Sequence, residues 1–167
     1  MKKTPQDGFV LMELVVTLVL VGFIGAFAGL FLYTGINGYM ASKRNSETAL
    51  SAQVALDRIS AELRHISSLP QNPVANTSIT YLSKDLPGTR RIRYDTGSKV
   101  IYFSQDGVEH PLLNKIATFT LAWDSADMDN ADGDEEISTI RIGFTVTDVG
   151  NQFSVRIHPR YFIPKPS

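Results

Sequence analysis

The reading of this chain turns on FVLMELVVTLVLVGFIGAFAGLFLY, residues 9–33, in which Glu13 and Thr17 are the only strongly polar side chains. As a helix, about 25 residues rising ~1.5 Å each would reach roughly 37 Å, longer than the ~30 Å hydrocarbon layer of a bilayer. The run is therefore of membrane-crossing length. Lys2 and Lys3 precede it, and basic residues before a first apolar segment favour keeping that end in the cytoplasm. Everything after Tyr33 is then expected on the far side of the membrane.

Outward from this run the pattern changes. Leu50, Val54, Ile59, Leu63 and Ile66 recur at spacings of three to five among Ser, Glu, Asp, Arg and Gln, which predicts that the helix continues over 34–69 in amphipathic form with one buried stripe. Leu69-Pro70-Gln71-Asn72-Pro73 ends it, because proline disfavours helix in the residue before it and offers no amide donor.

Past Pro73 the period becomes two. Short runs at Ser78–Leu82, Arg91–Tyr94, Val100–Phe103, Ile116–Trp123, Ile140–Val146 and Phe153–Ile157 are separated by turns containing Gly, Asp and Asn, and they read as antiparallel strands. The clearest pair sets Ile140, Ile142, Phe144 and Val146 against Phe153, Val155 and Ile157 around Val149-Gly150-Asn151. The expected fold class is α+β, a long N-terminal helix with a transmembrane half and an amphipathic half, the latter packed on an antiparallel β-sheet formed by 70–167.

Composition narrows the function. The chain has 167 residues, 16 basic against 17 acidic, for a net charge of −1, so it carries no basic field of the kind that collects nucleic acid. It has no cysteine, which removes disulfides, thiol nucleophiles and Cys-ligated zinc. His65, His110 and His158 are isolated from one another, and no nucleophile elbow, phosphate loop, dinucleotide fingerprint or His-Glu-x-x-His occurs. No enzymatic activity is expected, and no resident cofactor.

Glu13 is the residue that an ordinary membrane segment does not explain, since an acidic side chain inside such a run costs about 2.5 kcal/mol or more without a partner. Ala26-Phe27-Ala28 also fits the small-x-small site of a secretory signal, which would release a domain starting at Gly29; a plain signal anchor is the other alternative. The unit Gly8-Phe9-Val10-Leu11-Met12-Glu13-Leu14, however, resembles the cleavage and methylation segment of type IV prepilins and pseudopilins. That family has a short basic leader ending in Gly, then Phe, three apolar residues, Glu, Leu and a long apolar helix. Met12 and Val10 differ from its commonest residues without adding charge or bulk.

The resemblance implies a pilin-like fold, with residues 1–8 as leader, 9–33 as the transmembrane and filament-core helix, 34–69 as the packed helix and 70–167 as the external domain. It implies a prepilin peptidase that cuts between Gly8 and Phe9, methylation of the new Phe9 amine, and Glu13 as the assembly residue, one helical turn away and able to compensate that amine or a neighbour's. The implied partners are that peptidase, other pilin or pseudopilin subunits and an inner-membrane assembly platform. The implied location is the bacterial inner membrane, single-pass with the N-terminus cytoplasmic, and then the filament. Gly38-Tyr39, Ala55-Leu56-Asp57-Arg58-Ile59 and Glu62-Leu63-Arg64 look like the helix of J-type minor pseudopilins and similar minor pilins, implying a subunit at or near the tip of a type II secretion pseudopilus or a type IV pilus. A membrane-anchored binding module that does not polymerise is the alternative.

One further stretch has ligand chemistry. Asp124, Asp127, Asp129, Asp132, Asp134, Glu135 and Glu136 cluster between two expected strands, and converging carboxylates bind calcium. The spacing is not that of an EF-hand, with Met128 at the first ligand position and Thr139 at the last. A solvated acidic hairpin loop is the simpler reading, with Asp127, Asp129, Asp132 and Asp134 as the calcium ligands under the other.

Overall fold

The apolar run and the amphipathic stretch after it fold as one element, α1, Asp7–Arg64. The computed structural model describes residues 7–128, 135–147 and 149–164, with side chains from residue 11 onward. Two compact units divide the chain, Met1–Arg44 and Asn45–Ser167.

In the first unit α1 is long and apolar enough to cross a membrane. Its large apolar residues, from Leu11 through Met40, are all about half exposed or more. Its threonine hydroxyls are satisfied by the helix itself: Thr17 Oγ1 donates to the carbonyls of Glu13 and Leu14, both at 2.9 Å, and Thr34 Oγ1 to that of Leu30 at 2.9 Å. Such back-bonding leaves no polar group of these side chains unpaired in an apolar surrounding.

In the second unit α1 continues and buries Ala52, Ala55, Leu56, Ile59 and Leu63, spacings of three and four that define one face. This corrects the expected stripe, because Leu50 and Val54 are 66% and 60% exposed. The buried face includes two alanines, Ala52 and Ala55, which join the core although they are too small to register as part of an apolar stripe. Ile59 and Leu63 were placed correctly.

Eight strands follow: β1 Ile66–Ser68, β2 Ser78–Ser83, β3 Thr89–Asp95, β4 Val100–Gln105, β5 Val108–Leu113, β6 Ile116–Ala126, β7 Glu136–Val146 and β8 Gln152–Ile157. They form a five-stranded sheet in the order β1-β2-β3-β4-β5 and a three-stranded sheet in the order β6-β7-β8, antiparallel throughout. All six expected strands are present and lengthened, and two were not foreseen. The helix ends at Arg64 rather than near Leu69, because Ile66 and Ser68 pair with Ser83 and Leu82 as β1. Ile66 is buried as expected, but as a strand residue. β5 contains Pro111, which sequence patterning reads as a breaker; it is tolerated because β5 lies at the sheet edge. The β4–β5 turn is Asp106-Gly107, both at positive φ (50° and 87°), the conformation that two-residue hairpins favour.

The inner faces of both sheets and the buried helix face share one core. Tyr94 of β3 stacks on Phe119 of β6 with ring centroids 5.3 Å apart. Asn76 closes the seam: its amide donates to the Leu121 carbonyl at 3.1 Å, and its side-chain oxygen accepts from the Leu121 amide at 3.2 Å. In the β7–β8 pair Ile140, Ile142 and Phe144 face Ile157, Val155 and Phe153, the alternation read from the sequence.

Candidate functional site

The N-terminal segment comes first. Gly8 and Phe9 belong to the opening turn of α1, and their side chains lie outside the described residues. Glu13 sits on the exposed helix surface, together with Met12, Val16 and Thr17 lining a shallow depression. Where a Cβ added to Gly22, Gly25 or Gly29 would stand there is only open space within 4 Å, so these glycines leave the helix surface low rather than relieving a contact inside the chain.

The acidic stretch resolves into parts. Asp129, Asp132 and Asp134 lie outside the described residues. Asp127 is exposed just beyond β6. Asp124 is committed to Arg141, whose two guanidinium nitrogens reach its two carboxylate oxygens. Glu135 accepts from Ser125 Oγ at 2.8 Å, and the buried Glu136 accepts from the Met128 amide at 2.8 Å. These bonds tie the base of the β6–β7 hairpin. Among the described residues no group of three His, Cys, Asp or Glu side chains is placed to hold a metal ion.

The histidines are dispersed. His65 pairs through Nδ1 with Asp85, His158 Nδ1 lies 3.1 Å from the Ser138 carbonyl, and His110 is exposed on β5.

One charged cluster that sequence reasoning did not foresee lies under the helix. Glu62 is buried, and one of its carboxylate oxygens accepts from Arg90 at 2.7 Å and from the Tyr81 hydroxyl at 3.3 Å. Its other oxygen lies 3.3 Å from Arg58 Nε, one helical turn back. Arg58 and Arg90 both lie over the Phe103 ring, 5.3 and 5.6 Å from its centroid. Burial, aided by the Glu62 carboxylate, pushes the Tyr81 phenol far above its usual range, so Tyr81 serves as a neutral donor. The only sequence signal was an Arg in β3 at an inward-facing register position. The cluster joins α1 to β2, β3 and β4 through charge as well as shape. Beside it Arg58, Ala61, Glu62, His65, Ser83, Asp85 and Leu86 line an open cavity of about 340 Å³.

No family model, curated protein or solved structure matches this chain. What stands is an α+β protein whose long apolar N-terminal helix, able by length and composition to cross a membrane, leads into antiparallel sheets.

Proposed function

We propose that this protein is a minor pilin or pseudopilin, a structural subunit cleaved after Gly8 by a prepilin peptidase, methylated at Phe9 and built into a type II secretion pseudopilus or a type IV pilus at or near its tip. The observation that carries the reading is Gly8-Phe9 followed by Glu13 within an apolar helical stretch whose described large side chains, Leu11 through Met40, are all exposed. A surface of that kind is stable in water only when covered, and a bilayer followed by the helices of neighbouring subunits would cover it in turn. Residues 1–8 serve as leader, 9–33 as membrane and filament-core helix, and the part from residue 34 as the external region.

Cleavage needs an extended backbone in the protease, and the Gly8–Phe9 bond lies in the first turn of α1. That turn holds four amides without helical partners, and Gly8 is a poor helix former, so it is the part of the helix that unwinds at least cost. Once cut, the Phe9 amine and Glu13 lie one turn apart and partially neutralise each other. A subunit then loses least by burying Glu13 beside a neighbour's N-terminus, which sets axial register in the fibre. The assembly platform of the inner membrane is the partner that inserts it.

The test is intact-mass and N-terminal analysis of protein from membranes, with and without a prepilin peptidase. A chain starting at methylated Phe9 only when the peptidase is present, and lost in Gly8→Val, supports the reading. A chain starting at Met1 or Gly29 in both cases refutes it, the first outcome favouring a membrane-anchored module and the second a released domain.

A further inference from the structure

The two sheets present four edges, and three of them are closed to further strands. β1 is three residues long and irregular in register. β5 carries Pro111, which has no amide to donate. β6 has its outer edge plugged at Leu121 by the backbone and side chain of Asn76. These are the usual ways in which a protein prevents unwanted pairing.

β8 has none of them. Over Gln152–Ile157 it pairs with β7 alone among the described residues, in unbroken register and without proline. Its inward side chains Phe153 and Val155 are only partly buried, whereas their cross-strand partners Phe144 and Ile142 are fully so. The inner layer therefore stops one strand short of full cover at this edge. The outer face differs. Ala122 of β6, Gly143 of β7 and Ser154 of β8 form the low floor of a groove of about 300 Å³, flanked by Arg141, Gln152 and Arg156. Arg141 and Arg156 are directly opposed across the strands. Arg141 is compensated by Asp124, whereas the exposed Arg156 side chain makes no hydrogen bond or ion pair among the described residues.

We propose that the open edge of β8 is a docking site for an extended segment of a partner protein, which adds as a fourth strand to the β6-β7-β8 sheet, directs apolar side chains towards Phe153 and Val155, and places a carboxylate against Arg156. Backbone pairing supplies most of the attachment and the alternating side chains the selectivity, as in other cases of strand addition. A second copy of β8 fits less well, since it would bring another Arg156 and no carboxylate to the groove. The inference does not depend on the filament reading.

The experiment is selection of a displayed random heptapeptide library on the full chain in detergent micelles, followed by hydrogen exchange of the complex. Enriched peptides should alternate apolar residues with an Asp or Glu and slow exchange within 152–157. Arg156→Glu, an exposed change whose folding is checked by Trp123 fluorescence, should weaken those peptides about tenfold and shift selection to Lys or Arg at the same position. The proposal is overturned by the absence of an enriched family, by peptides that bind Arg156→Glu equally well, or by protection appearing elsewhere than β8.

Discussion

Replacing Glu62 by Gln is the sharpest test of how this fold is held. The change keeps the shape of the side chain and removes its charge, leaving the Arg90 guanidinium, only 6% exposed, without a counter-ion. Breaking one side of a buried ion pair costs roughly 3–5 kcal/mol, a large share of the ~5–15 kcal/mol that a domain has in total. Arg58 offsets little of this, because it is the same sign as Arg90 and lies over the same ring. Replacing both partners with apolar residues, Glu62→Met with Arg90→Leu, should recover part of the loss, because no charge is then left buried, although the Tyr81 hydroxyl loses its acceptor. Chemical denaturation followed by fluorescence of the sole tryptophan, Trp123 on β6, reads every variant, and the cycle closed by the single variants Glu62→Met and Arg90→Leu isolates the pair. A loss below about 1 kcal/mol for Glu62→Gln, or a double variant as unstable as the sum of the singles, would refute the account of this cluster as the lock between helix and sheet.

The buried helix face gives a second contrast. Ala55→Leu, at a position 1% exposed, should destabilise by about 1–3 kcal/mol through overpacking, whereas Val54→Leu on the opposite face should stay within about 0.5 kcal/mol by the same denaturation assay. A third prediction concerns pH. The hydrogen bond from Arg93 holds the Glu109 carboxyl below its usual value, so the pair's stabilisation is fully present above the unfolded carboxylate pKa, near pH 4.3, and is lost as pH falls through the lower folded value. Wild type should therefore exceed Glu109→Gln by roughly 0.5 kcal/mol at neutral pH, with the difference vanishing in acid; a difference that grows on acidification would contradict this. Under the proposed function, Glu13→Gln should leave cleavage after Gly8 intact and reduce recovery in sheared filaments, measured by immunoblot of fibre and membrane fractions; equal recovery would remove Glu13 from assembly.

Much of this protein was legible in its sequence because periodicity is a local property. The membrane-length run of α1, the change from helical to alternating pattern after Pro73, and the facing of Ile140, Ile142 and Phe144 by residues of β8 all follow from where apolar side chains recur. The segment Gly8-Phe9 with Glu13 stands out in the sequence as a local motif, to which the structure adds that Gly8 and Phe9 lie in the first turn of α1 and that Glu13 is exposed. The buried helix face differs from the expected stripe because periodicity counts large apolar residues, while Ala52 and Ala55 make up part of the face that is buried. The end of α1 was misjudged because Ile66 is apolar enough for either element, and its pairing with Ser83, distant in sequence, decided for strand.

What only the tertiary structure decided is which polar residues meet. Glu62 and Arg90 lie 28 residues apart and look like two solvated charges in the sequence; they become a buried pair because the helix face and the β3 register turn both inward. Pro111 is harmless, Asn76 is a plug and β8 pairs with β7 alone among the described residues for a similar reason. Each is an outcome of strand order, and strand order depends on contacts between residues far apart in the chain, about which local pattern carries no information.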